Sequence, residues 1–230
     1  AIISSRGSTA FGPNGVTMLH LKHLGPNGIR FLTALFNLSV NYADIPSIWR
    51  AANVLPVPKP GKTLDQGVNY RPISLLCPEV KVLERMILPF LNSSLSPNHN
   101  QHGFRPGRST LTALLPLNTN IARGFNTAKP AARTGLLSID LSKAFDTVRR
   151  ERLLEKLDST YLDGNLKRWF LVYLSDRKAR VIYHGAVSMW MNSMLGLPQV
   201  AVTRPTFWNF WTDDLEIDST ESESFADDVE

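Results

Sequence analysis

Between Val16 and Trp49 the apolar residues recur at helical spacing: Met18, Leu19, Leu21 and Leu24, then Ile29, Phe31, Leu32, Leu35, Phe36 and Leu38. Steps of three and four put such residues on one side of a helix. The run Gly25-Pro26-Asn27-Gly28 interrupts the pattern and predicts two helices rather than one. Ser5 to Gly15 is small, polar and punctuated by Gly and Pro, and reads as a loop. Asn53 to Pro58 reads as a strand, and its prolines predict an edge position. Val80 to Leu95 is an amphipathic helix built on Val82, Leu83, Met86, Ile87, Phe90 and Leu91. Asn100 to Arg108 is an irregular basic loop, and Ser109 is placed to cap a following helix.

Further on, Thr134 to Leu141 is a compact apolar run ending in an acid, which predicts a buried strand with Asp140 at its C-terminal end. Arg150 to Leu157 and Asn165 to Leu174 read as helices, and Ala179 to Tyr183 with Val187 to Met191 as a hairpin about His184-Gly185. Pro205 opens another helix, in which the aromatic side chains of Phe207, Trp208, Phe210 and Trp211, together with Trp190, are read as core rather than base-stacking residues. Strands and helices mixed in this order predict an α+β layered fold.

Composition changes this picture little. Lys and Arg exceed Asp and Glu by 25 to 20, a net charge of +5 that suits a polyanionic partner without requiring one. Cys77 is the sole cysteine, so no disulfide forms within the chain, and it reads as a buried thiol beside Leu75-Leu76. No apolar run is long enough to span a bilayer. The five histidines lack the spacing of a zinc site.

Two features carry chemistry: Asp140 at the end of its apolar run, and the adjacent pair Asp227-Asp228. Phosphoryl transfer commonly uses two Mg²⁺ ions about 3.5–4 Å apart, held by hard oxygen ligands. Three carboxylates brought together by separate strands meet that need. Taken singly, each feature is more ordinary, since Asp pairs are frequent in solvated turns and the chain has a second at Asp213-Asp214.

The order of motifs adds to this. Lys59-Pro60-Gly61-Lys62 is followed by Asn69-Tyr70-Arg71-Pro72-Ile73-Ser74-Leu75-Leu76 and by Gln101-His102-Gly103-Phe104-Arg105-Pro106-Gly107-Arg108-Ser109-Thr110. Then come Ser138-Ile139-Asp140-Leu141-Ser142-Lys143-Ala144-Phe145-Asp146, Gly196-Leu197-Pro198-Gln199 and Phe225-Ala226-Asp227-Asp228. This series resembles the reverse transcriptases of non-LTR retrotransposons of the LINE-like, Jockey type, and the upstream Gly12-Pro13-Asn14-Gly15 resembles their Gly-Pro-Asp-Gly segment.

The resemblance implies a right-hand polymerase fold: an N-terminal helical extension over 1–50, fingers over 51–133 and an incomplete palm over 134–230, with the thumb absent. It implies Asp140, Asp227 and Asp228 as catalytic carboxylates and, with the carbonyl of Leu141, as ligands of two Mg²⁺ ions, for which Mn²⁺ can substitute. Arg71, Lys143, Ala144, Phe145 and Gln199 would contact the nucleotide, and Lys59, Lys62, Arg105 and Arg108 the nucleic acid. Phe145 is either a steric gate against a 2′-hydroxyl or an ordinary core residue. The implied activity is RNA-directed DNA synthesis with an RNA template, a DNA primer and dNTPs, in the nucleus or a cytoplasmic ribonucleoprotein and without a membrane. The alternative is an inactive, nucleic-acid-binding or non-functional remnant of such an element.

Two departures favour low activity. Where the family follows the glutamine of Gly196-Leu197-Pro198-Gln199 with Gly-Ser, this chain has Val200-Ala201. The chain also stops just after Asp227-Asp228, so the returning strand of that hairpin is expected to be missing.

Overall fold

A computed structural model describes residues 1–5, 7, 9–126, 135–141, 144–214, 223–226 and 228–229, the last two by backbone alone. The chain forms two compact units.

The first unit comprises Ala1–Ser94 and Arg149–Arg204. It contains helices α1 (Met18–Lys22), α2 (Pro26–Tyr42) and α3 (Pro78–Ser94), and strands β1 (Ala51–Pro58) and β2 (Tyr70–Leu75). The second stretch of the chain contributes α6 (Arg150–Asp158), α7 (Gly164–Leu174), β4 (Lys178–Tyr183), β5 (Ala186–Val187) and β6 (Met191–Asn192). The break at Gly25 divides α1 from α2 as predicted, and Pro26 occupies the first turn of α2, where its missing N–H costs nothing. Within the stretch read as a loop, Ser5 to Gly15, a Cβ on Gly12 would meet the Cys77 nitrogen at 2.5 Å. Cys77 is fully buried as expected, donates to the Ile48 carbonyl, and burial pushes its thiol up to about 11.

The sheet of this unit runs β2-β1-β4-β5, with β6 on β4. The expectation for β1 is therefore corrected: it is central, antiparallel to β2 and parallel to β4. Its prolines are tolerated because of where they fall. The Lys59 amide donates to the Asn69 carbonyl, which makes 59–69 a hydrogen-bonded pair. Alternation along an antiparallel ladder then makes Pro56–Pro72 and Pro58–Tyr70 non-hydrogen-bonded pairs. On the other side, pairing with β4 covers Ala51 to Val54 and ends before either proline. The hairpin about His184-Gly185 forms as read, although its second arm divides into β5 and β6.

The core of the unit centres on α7, whose Trp169, Phe170 and Tyr173 are fully buried. Trp169 stacks on Tyr173 at 4.8 Å and donates its indole N–H to Ser39 of α2. Trp190 departs from its core reading: it is 40% exposed and carries the Arg180 guanidinium 4.5 Å above its ring.

The second unit comprises Leu95–Val148 and Pro205–Glu230. It holds α4 (Thr110–Phe125), β3 (Ile139–Asp140), α5 (Ala144–Thr147), β7 (Ser224–Phe225) and β8 (Asp228–Val229), and α8 (Arg204–Trp211) runs into it from the boundary. Ser109 caps α4 as predicted, and Thr112 completes a reciprocal capping box. Phe207, Trp208 and Phe210 of α8 are buried. Of the strand predicted over 134–141, Thr134 lies outside the described residues, the described strand is Ile139–Asp140, and Leu136 and Leu137 are exposed rather than buried. A strand extends only as far as a partner takes up its backbone groups, and the paired stretch of β8 is two residues long.

Candidate active site

Strand β8 is the returning strand that the sequence reading expects to be missing. It pairs antiparallel with β7, Phe225 opposite Asp228, and with β3, Asp140 opposite Asp228. Facing residues in antiparallel strands lie about 4.5–5.5 Å apart at Cα. The short sheet β3-β8-β7 thus brings the backbone of one candidate carboxylate residue directly beside that of another. Asp140 itself is exposed. Asp227 and Lys143 lie outside the described residues.

The turn between β7 and β8 begins at Ala226, in the left-handed conformation at φ 59°. This costs an alanine about 1–2 kcal/mol, so its surroundings must hold it there. The loop of the second unit before α4 does so. The Ser224 amide donates to the Asn100 carbonyl at 2.9 Å, and the His102 amide to the Ser224 carbonyl at 2.8 Å, so residues 100–102 lie beside β7 as a short parallel partner. The His102 ring is buried between Thr112 and Glu223, each at 2.8 Å. The Trp208 indole donates to the Ala226 carbonyl at 2.7 Å. Gly103 lies so close beneath the turn that a Cβ on it would meet the Ala226 nitrogen at 2.1 Å.

Phe145 sits against Trp208 at 4.7 Å and against Phe104 at 6.0 Å. It is half-buried, with Ala144 buried beside it. The Leu141 carbonyl accepts from the Ala144 amide and keeps a second lone pair. Arg105 and Arg108, read as nucleic-acid contacts, also have internal partners. Arg105 donates to the carbonyls of Asn98 and Gln101, and the Arg108 guanidinium lies 3.4 Å from the His102 ring nitrogen.

In the first unit, Arg71 is exposed on β2 opposite Val57. Lys59 follows β1 on the same hairpin, its ammonium donating to the Val68 carbonyl at 2.9 Å, and Lys62 is exposed beyond it. Gln199 is half-buried in the loop from Ser193 to Thr203.

Two charged residues without a predicted role hold that loop. Arg150 is buried and donates to the carbonyls of Ser193, Leu195 and Gly196 and to the Ser193 hydroxyl. Burial and the nearby Arg177 push its guanidinium down to about 10. At the other end Glu84 of α3, fully buried, accepts from the Val202 amide, the Thr203 hydroxyl and the Tyr173 phenol at 2.9–3.0 Å. Burial raises its carboxyl above the ordinary range, against the opposing effect of these donors. The signal for Glu84 is in the sequence: it shares a helical stripe with Ile87 and Leu91, both buried.

Between these anchors Val200 is held at φ 71°. A β-branched residue is poorly suited to that conformation. Val200→Gly is therefore expected to raise stability by about 1 kcal/mol, the released strain exceeding the added chain entropy of glycine. Equilibrium urea unfolding measures it, and an unchanged or lower midpoint would contradict the assignment of strain.

The donors in the candidate set are all oxygens: the carboxylates of Asp140, Asp227 and Asp228 and the Leu141 carbonyl. This set fits a hard divalent cation such as Mg²⁺. Among the described residues, which exclude Asp227 and the Asp228 side chain, no three His, Cys, Asp or Glu side chains gather as a metal site.

Residues 57–229 match the family described as reverse transcriptase (RNA-dependent DNA polymerase). The chain belongs to this family. Over 212 residues it is 31% identical to a Drosophila melanogaster protein named "Probable RNA-directed DNA polymerase from transposon BS", covering 89% of this chain and 22% of the relative. The corresponding protein from transposon X-element of the same fly is 30% identical over 222 residues, 93% of this chain and 24% of the relative. The RNA-directed DNA polymerase from mobile element jockey, also from Drosophila melanogaster, is 28% identical over 213 residues, 91% of this chain and 23% of the relative. The chain thus spans less than a quarter of the length of these relatives. Among the described residues no helix is long and apolar enough to cross a membrane.

Proposed function

We propose that this chain carries the catalytic carboxylates of an RNA-directed DNA polymerase of the non-LTR, Jockey-type lineage, extending a DNA 3′-hydroxyl on an RNA template. The observation that carries this reading is the register of β3 with β8, which pairs residue 140 with residue 228. Two aspartates facing each other across strands repel. A sheet that brings them together is useful where a cation offsets that repulsion.

In this reading Asp140, Asp227 and Asp228, with the Leu141 carbonyl, hold two Mg²⁺ ions. When bound, these activate the primer hydroxyl and neutralise charge developing on the triphosphate. Arg71 offers the triphosphate a planar fork of donors. Lys59 and Lys62 add positive charge for phosphates, as do Arg105 and Arg108 where their internal bonds leave donors spare. Gln199, Lys143 and Ala144 line the nucleotide. Phe145 bars a 2′-hydroxyl, a role favoured by its half-buried ring and by the aromatic neighbours that fix it. The division into an N-terminal extension over 1–50, fingers over 51–133 and palm over 134–230 belongs to the same reading, as does a nuclear or ribonucleoprotein location.

Primer extension on poly(rA)/oligo(dT) with Mg²⁺ tests it. Asp140→Asn is expected to lower incorporation by about three orders of magnitude or more, as for loss of a group that stabilises transition-state charge. Salt-dependent RNA binding should persist in the variant. Equal incorporation by wild type and variant would refute the assignment.

A further inference from the structure

We infer that Gln101 is a positioning residue for the catalytic turn, its side-chain amide holding the peptide groups of Ala226 and so setting the path by which the chain enters Asp227-Asp228. The inference rests on the polymerase reading for its functional consequence, but the clamp is defined by geometry alone.

Gln101 is 3% exposed. Its Oε1 accepts from the Ala226 amide at 3.1 Å and from the Gly103 amide at 2.8 Å, while its Nε2 donates to the Ala226 carbonyl at 3.1 Å. The amide orientation follows from these partners, because two N–H groups require an oxygen and a carbonyl requires the NH₂. The side chain therefore does what a neighbouring strand would do. Residues 100 and 102 bond the backbone of Ser224 directly, and two residues later, where the chain turns, the Gln101 side chain bonds both sides of Ala226 in place of a backbone partner.

The clamp matters because Ala226 is held at φ 59°, which L-residues seldom adopt unaided. Trp208 bonds the Ala226 carbonyl as well, but among the hydrogen bonds of the described residues Gln101 is the partner of its N–H. Of the common side chains this size, a primary amide accepts and donates at once. Leucine does neither, and glutamate keeps the acceptor but loses the donor. The Gln101 backbone is anchored separately, its N–H donating to the Asn98 carbonyl and its own carbonyl accepting from Arg105. The side chain is thus free to serve the turn.

The test compares wild type, Gln101→Leu, Gln101→Glu and the double variant Gln101→Leu/Ala226→Gly by three measurements. These are amide hydrogen exchange at Ala226, Mn²⁺ binding followed by loss of the free-ion paramagnetic resonance signal, and primer extension across a Mg²⁺ titration. Gln101→Leu is expected to speed exchange at Ala226, and to weaken Mn²⁺ binding and raise the Mg²⁺ requirement by about 10–100-fold, the range for groups that orient metal ligands. The KM for dNTP should stay within about twofold, since the effect is on the metal-bearing turn. Gln101→Glu should fall between, and Ala226→Gly should restore part of the loss because glycine adopts the turn without a clamp.

A merely structural role would lower the melting temperature and the yield of active protein without changing the Mg²⁺ requirement. Unaltered exchange at Ala226 and unaltered Mn²⁺ affinity in folded Gln101→Leu would overturn the inference while leaving the polymerase reading intact. Wild-type protein that neither binds Mn²⁺ nor extends a primer would overturn the polymerase reading instead. Exchange at Ala226 would still decide whether the clamp exists.

Discussion

Gly103→Ala is expected to reduce primer extension by about two orders of magnitude, the cost typical of displacing a reactive group by about 1 Å. The added Cβ would lie 2.1 Å from the Ala226 nitrogen, 2.6 Å from its Cα and 3.0 Å from its Cβ. The first two are backbone atoms, so no rotamer change relieves the clash. Residue 103 cannot withdraw freely either, because its carbonyl accepts from Asn209 at 2.9 Å and its amide donates to Gln101 at 2.8 Å. Either those bonds break or the turn before Asp227-Asp228 moves. Overpacking of this kind also costs about 1–3 kcal/mol of stability. Single-turnover extension and urea unfolding measure the two effects separately. Gly164→Ala, at a helical position where a Cβ meets nothing within 4 Å, is the control and should change neither appreciably. If Gly103→Ala matched that control, the close approach of loop and turn would be wrong.

The second large effect is on stability. Glu84→Ala should cost about 3–5 kcal/mol, since it leaves the partly buried Val202 amide and two buried hydroxyls without their acceptor, at about 1–3 kcal/mol for each group not rescued by another partner. For a chain of this size that is a fall in melting temperature of about 10 °C. Glu84→Gln, which keeps the shape and one acceptor oxygen, should lose about half as much. The two proteins should also differ with pH. Burial raises the folded-state carboxyl above its unfolded value. The stabilisation from that group is therefore complete below the unfolded value and is lost as pH rises through the folded one. The deficit of Glu84→Gln relative to wild type should accordingly narrow from pH 5 to about pH 8 in urea titrations. A deficit that widened would mean that the three donors outweigh burial.

Much of the fold is legible in the residues. Gly25-Pro26 divides α1 from α2, Ser109 caps α4, and Val82, Leu83, Ile87 and Leu91 of the α3 stripe are buried as the apolar spacing predicts, whereas Met86 and Phe90 on it are exposed. These are properties of neighbours within a turn or two of helix, so local sequence suffices for them. Two of the missed placements show how distant partners decide a strand. Proline content alone predicts β1 at an edge, yet β4, more than a hundred residues later, pairs with the part of β1 that lacks proline. The run ending at Asp140 is apolar enough for a buried strand, but among the described residues only Ile139 and Asp140 of it find a ladder partner.

The candidate site divides in the same way. Residue types in a fixed order carry enough information to point to the family and to single out Asp140, Asp227 and Asp228 as candidate carboxylates. That β8 returns beside β3, so that residues 140 and 228 pair, and that Gln101 and Trp208 hold Ala226 between them, is set by folding and not by local sequence. So is the pinning of the loop around Val200 by Glu84 and Arg150. The stripe on α3 marks Glu84 as buried, but the partner in a hydrogen bond between residues far apart in the chain leaves no periodic trace, since any Gln, Glu or Arg has the same donors and acceptors whether it faces solvent or a buried peptide. Burial is what makes such a bond obligatory.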